Sequence, residues 1–211
     1  MPHTNAIKKI VDSLRKKNQA LTSTDIDAAI ENLAKQGYAY NAALFPSLPS
    51  NHQWAIPPLE KPESLAEALL WKMGKWQIYK SFVGHYNGKT TEPKKTDVVF
   101  YAFAKHLQSD ANPIYDQHAL RALWAIDSNL SQEGVEICRS LLTKKDGDWR
   151  PIASGANTSA GYSLYVERVK KLAESDVSLG TLDKLLMPLG QALKDNTRNV
   201  TEFMALTRCA E

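Results

Sequence analysis

Apolar residues recur along this chain with helical spacing almost everywhere. Ile7, Ile10, Val11 and Leu14 follow the i, i+3, i+4, i+7 rule of one buried face, and Lys8, Lys9, Arg15, Lys16 and Lys17 occupy the remaining arc. Ile26, Ala29, Ile30 and Leu33 repeat the pattern behind Thr24, a residue suited to accept the first free N–H groups of a helix. Asp27 follows three positions on, and Gly37 stands where the chain would leave the helix. Ser64 and Glu67 make a second start signal ahead of Leu65, Ala68, Leu69, Trp71 and Trp76, and both tryptophans read as core. Later stripes run through Val98, Val99, Ala102 and Phe103, through a segment starting near Asp116, and through Val135, Cys138, Leu141 and Leu142. Two more follow, Tyr162–Tyr165–Val166–Val169–Leu172 and Leu182–Leu185–Leu186–Leu189–Leu193, and Pro188 predicts a bend in the last. No stretch alternates with period two for long. The pattern predicts an all-α fold.

The breaks in that pattern are informative. From Tyr38 to Pro62 the residues Asn41, Pro46, Ser47, Pro49, Ser50, Asn51, Pro57 and Pro58 rule out regular structure, and Tyr38, Tyr40, Phe45 and Trp54 place aromatics there. Long irregular connections in compact domains are often functional. These rings either fasten the loop to the core or line a pocket. GHYNGKTTEPKK (84–95) is a polar turn rich in Gly, Asn and Lys.

Composition narrows the function classes. A chain of 211 residues, 43% of them hydrophobic, suits one globular unit or two small lobes sharing a core. The formal charge of +3 permits a nucleic-acid partner without requiring one. Two cysteines, Cys138 and Cys209, cannot supply a four-thiolate metal cluster, and His3, His52, His85, His106 and His118 lack metal-ligand spacing. No metal and no cofactor are therefore expected. Cys138 lies on an apolar stripe and reads as core. The phosphate loop, the nucleophile elbow, the H-E-x-x-H pair and the dinucleotide fingerprint are all absent. No run approaches the roughly 18 apolar residues of a membrane span, and the first residues lack a cleavable leader pattern. A cytoplasmic protein with no membrane partner is expected.

The segment Asn112-Pro113-Ile114-Tyr115-Asp116-Gln117-His118 carries the most chemistry. A short apolar piece leads into Asp116, which precedes a helix whose amides and dipole favour a carboxylate. Such a group either caps the helix or, aimed into a cleft, stabilises an oxocarbenium ion and aligns a water. VVFYAFAKHLQSDANPIYDQHALRAL (98–123) resembles the core of the helix-hairpin-helix DNA glycosylase superfamily, and more closely bacterial proteins with an 8-oxoguanine-glycosylase-like fold. Pro113, Asp116 and His118 match its helix, turn, proline and D-x-H order, and LDKLLMPLGQALK resembles a recurrent last helix of those relatives.

The resemblance implies two helical lobes around a cleft within one unit spanning 1–211. A middle lobe would cover 62–112, and a second would combine 1–61 with 113–211. It implies removal of a damaged or modified base from DNA, oxidised guanine by default or a bulkier phage-type base, in repair or in anti-phage defence. Asp116 would act on the sugar; Tyr40, Phe45 and His118 would line the base pocket; Lys89, Lys94, Lys95 and Arg121 would contact phosphates. The family hairpin L-P-G-[VI]-G-x-K is replaced here by YNGKTTEPKKTD. Lys95 is the nearest counterpart of the Schiff-base lysine, at a longer separation from Asp116, so a monofunctional enzyme is expected; a monomer is expected as well. A DNA-binding protein of this fold without catalysis, and a helical protein-interaction module, are the alternatives.

Overall fold

The computed structural model describes residues 2–15, 19–40, 60–89, 92, 97–109, 111–152 and 158–207, with side chains from Thr4 onward. Phe45, Lys94 and Lys95 lie outside the described residues. Among the described residues there are ten α-helices and no strand. They are α1 (Pro2–Leu14), α2 (Ser23–Lys35), α3 (Leu65–Lys72), α4 (Trp76–Tyr86), α5 (Val98–Gln108), α6 (Gln117–Ile126), α7 (Gln132–Leu142), α8 (Thr158–Leu172), α9 (Leu179–Asn196) and α10 (Val200–Thr207). The all-α expectation holds, and none of these helices is long and apolar enough to cross a membrane.

Helix α6 is the centre of the fold. Every residue from Ala119 to Ile126 is buried, because α9 packs along it while α1, α7 and α8 close its other sides. Small side chains make the close α6–α9 packing possible: α6 offers Ala119, Ala122 and Ala125, and α9 offers Gly190, which lies against the His118 backbone. The core also takes Ile7, Ile10, Val11 and Leu14 from α1 and Phe203 and Leu206 from α10. From α5 it takes Val98 and Ala102; α3 and α4 contribute nothing to it. The α6 C-terminus is tied down by Asp127, whose carboxylate receives Arg168 of α8 through Nε at 2.7 Å and Nη2 at 2.9 Å. A two-pronged arginine contact of this kind fixes orientation as well as charge.

Three local expectations need correction. Helix α2 is capped by Thr22 rather than Thr24, in a reciprocal box with Asp25. Leu21 just before it is bridged to Ala173, donating to Leu172 O and accepting from Glu174 N, so the extended chain ends there and the helix starts at once. The stripe behind Ser64 is two helices, since Gly74 at φ 69 turns the chain between α3 and α4. Trp76 is buried as expected. Trp71 is 60% exposed, because the eight-residue α3 packs against α4 and leaves its other faces to solvent.

Candidate functional site

Pro113, Ile114 and Tyr115 are buried and outside regular structure, and lead into Asp116, the extended N-cap of α6. Upstream, Asn112 is held by its side-chain amide on Lys105 O at 3.1 Å, and its carbonyl meets His106 Nδ1 at 2.8 Å. The link out of α5 is therefore pinned before it reaches the carboxylate. Asp116 Oδ1 accepts from His118 N at 2.7 Å and Ala119 N at 2.9 Å. Asp116 itself is half-buried, at the solvent edge of an otherwise buried helix. The capping half of the sequence reading is thus realised, and one carboxylate oxygen remains beyond the cap.

Of the residues behind it, Asp183 is one the hydrophobic pattern did not single out, whereas Tyr162 and Tyr165 belong to the buried stripe of the preceding helix. Asp183, in the second turn of α9, is 2% exposed, and both its oxygens lie 3.3 Å from the Ile114 N–H. Burial pushes its carboxyl up to about 7, the Ile114 N–H opposes that, and the Asp116 charge adds to it. Tyr165 of α8 is wholly buried, its hydroxyl has no hydrogen-bond partner among the described residues, and the fields of Asp183 and Asp116 reach it. Burial raises Tyr165 well above an ordinary phenol, so it stays a donor. Tyr165 packs on Tyr115, Tyr115 on Tyr162 and Tyr162 on Tyr101, a row of rings joining α8 to α5. A signal for Asp183 exists in the sequence: Leu179, Leu182, Asp183, Leu186 and Gly190 share one helical face, so a carboxylate lies inside an apolar stripe.

Tyr40 is half-buried within the field of Asp183, where burial and then that charge raise its hydroxyl. His118 is half-buried; burial pulls its imidazole down toward the neutral ring, and the Asp116 charge, which favours the protonated ring, only partly opposes it. Lys89 is exposed just past α4, beside Gly88 at φ 69.

Arg121 is the clear correction among the site residues. It is 0% exposed, its guanidinium lies 4.4 Å from the Trp149 ring, and Nη1 donates to Gly190 O at 3.3 Å. Burial lowers it to about 10, opposed by Asp116 and Asp195. A guanidinium sealed between α6, α9 and Trp149 cannot meet a phosphate. The helical period explains this: Arg121 lies one turn beyond Gln117 on the side of α6 that α9 covers.

Cys138 is wholly buried and its thiol is pushed up to about 12 by burial, so it is no nucleophile. In α4, Ser81 donates to Asp97 Oδ2 at 2.8 Å and His85 Nε2 meets the same oxygen at 3.0 Å. Ser81 Oγ also lies 3.4 Å from His85 Nε2, so one ring nitrogen faces both serine and aspartate, whereas a relay uses the two nitrogens separately; the trio fastens the start of α5 to α4. A hollow of about 980 Å³ lies elsewhere, lined by residues including Lys8, Trp149, Lys194, Arg198 and Glu202. It shares no residue with the Asp116 group.

No protein-family model, curated protein or solved structure matches this chain.

Proposed function

We propose that this protein is a DNA glycosylase that hydrolyses the N-glycosidic bond of a damaged or modified base flipped out of the duplex. The observation that carries the reading is Asp116: a half-exposed carboxylate anchored on two amides at the head of a buried helix, with a second carboxyl, Asp183, behind it. Rigid seating of this kind suits a group that must meet positive charge as it develops on a sugar. In the reaction the C1′–N bond breaks and its electron pair leaves with the base, which takes up a proton. A water oxygen bonds to C1′ and gives up a proton, leaving free base and an abasic site. Asp116 steadies the cationic sugar and orients that water.

The two-lobe arrangement belongs to the same proposal. Its support is that α3 and α4 stay outside the main core while the 109–116 link passes from α5 to α6. Asp116 would then stand where the lobes meet, with Tyr40 and His118 toward the base and Lys89 toward the backbone. The test is mass spectrometry of free bases released from DNA carrying 8-oxoguanine and from phage DNA carrying hypermodified bases, beside a gel-shift titration in salt. Release of a base supports the proposal. Binding without release favours the inactive DNA-binding alternative.

One observation favours the interaction-module reading. On α3, Leu65 is 90% exposed, Leu69 59% and Trp71 60%, more apolar surface than an eight-residue helix ordinarily shows to water. Failure of both binding and release would leave that reading standing.

A further inference from the structure

Asp183 is expensive where it is. It is 2% exposed on a helix whose flanking Leu182, Leu185, Leu186 and Met187 are also buried, and among the described residues it has no cationic partner. A carboxyl buried without a counter-charge destabilises a fold, and an apolar side chain of similar size would pack there at less cost. What it gains is one contact, the Ile114 N–H at 3.3 Å from each oxygen. Ile114 is two residues before Asp116, in the buried piece that begins at Pro113, which has no N–H of its own. Gly190, further along α9, lies against the His118 backbone on the far side of the cap. Helix α9 therefore grips the chain on both sides of Asp116.

We infer that Asp183 is the positioning residue of the Asp116 site: from α9 it holds, through the Ile114 N–H, the backbone that delivers Asp116. The inference rests on the glycosidic reading only for its activity arm. The groups whose fields are coupled to Asp183 are Asp116 from the head of α6, Tyr165 from α8 and Tyr40 from the 38–40 piece; α1 and α2, which also pack against α9, add none among the described residues. None is a cation, and Arg121 and His118 on α6 couple to Asp116 instead. The Tyr165 hydroxyl is wholly buried within the fields of both acids and has no hydrogen-bond partner among the described residues. Burial holds the Asp183 proton up to about 7, so the neutral acid prevails in mildly acidic solution and gives way above neutrality. Once ionised, Asp183 repels Asp116 while the Ile114 N–H holds it more strongly, so the disturbance falls on the Asp116 carboxylate rather than on the Ile114 contact.

The test is a carboxyl-carbon NMR titration of the full chain with labelled aspartate, together with amide hydrogen exchange at Ile114. The resonance absent from Asp183→Asn should titrate near neutrality in wild type, and its midpoint should fall in Asp116→Asn, where the neighbouring charge is gone. Ile114 should exchange about fivefold or more faster in Asp183→Ala than in Asp183→Asn, since Asn keeps an acceptor. A carbon titrating in the ordinary carboxylate range, unmoved by Asp116→Asn, overturns the inference, and so does equal Ile114 exchange in the two variants. If Asp183→Ala does not fold, the titration decides alone. On 8-oxoguanine DNA, wild-type excision should decline above neutrality while Asp183→Asn stays flat. Absence of any base release from wild type defeats the glycosidic reading and leaves the NMR result to judge Asp183.

Discussion

Gly190 and His118 meet backbone to backbone: a Cβ built on Gly190 would stand 1.9 Å from the His118 carbonyl oxygen and 2.4 Å from its carbon. That contact sets the separation of α6 and α9 and hence the place of Asp116, two residues before His118. Neither helix can give way locally, since the obstructing atoms are main chain.

Gly190→Ala should therefore destabilise the fold by about 3 kcal/mol or more, the upper range for overpacking. Gly161→Ala offers the control, because its Cβ would meet Leu141 Cδ1 at 2.2 Å and Tyr115 Oη at 3.0 Å, both side-chain atoms that can swing aside. A loss of about 1 kcal/mol is expected there. Urea titration of both variants compares them, and equal losses would contradict the tight crossing.

Asp183 should leave a mark on stability against pH. Its folded value, about 7, lies above the ordinary 3.8, so the folded state holds a proton that the unfolded chain has released. Its contribution is fully present below about pH 3.8 and is lost as pH rises through 7, a span worth at most about 4 kcal/mol. Wild-type melting temperature should fall from pH 5 to pH 8 relative to Asp183→Asn, which binds no proton in that window. Parallel curves for the two proteins would refute this.

Asp116→Asn separates cap from catalysis. Asn caps a helix about as well as Asp, so the melting temperature should change little. Base release should drop by about 100-fold to 1,000-fold if the charge acts on the sugar, while DNA affinity holds or rises. Excision at the wild-type rate would remove Asp116 from the chemistry.

Arg121 and the 84–95 lysines should behave oppositely. Arg121→Met removes a buried charge that stacks on Trp149, so stability should move while the salt dependence of DNA binding stays put. Replacing Lys89, Lys94 and Lys95 with Ala should weaken binding to all DNA and flatten the salt slope, by about one for each phosphate left without its lysine. Isothermal titration at several salt concentrations distinguishes the two classes.

Much of the fold is legible in the sequence because helices announce themselves locally. The stripe Ile7–Ile10–Val11–Leu14, the Ser64–Glu67 box and the Asp116 cap depend on spacing and on hydrogen bonds reaching no more than four residues, and each is present in the structure. Where the sequence misleads, the deciding contact comes from afar. Thr22 rather than Thr24 starts α2 because Leu21 is bridged to Ala173, 152 residues away. Arg121 has the sequence setting of a free cation on a helix, and only the arrival of α9 and Trp149 seals it in. Trp71 sits on a core-like stripe, but after the turn at Gly74 α3 packs chiefly on α4 and keeps Trp71 60% exposed. The sequence by itself determined the helices and put Asp116 at the head of one of them. Tertiary structure alone decided that Asp183, 67 residues further on, stands behind that carboxylate, because burial and field depend on what packs in space rather than on what lies next in the chain.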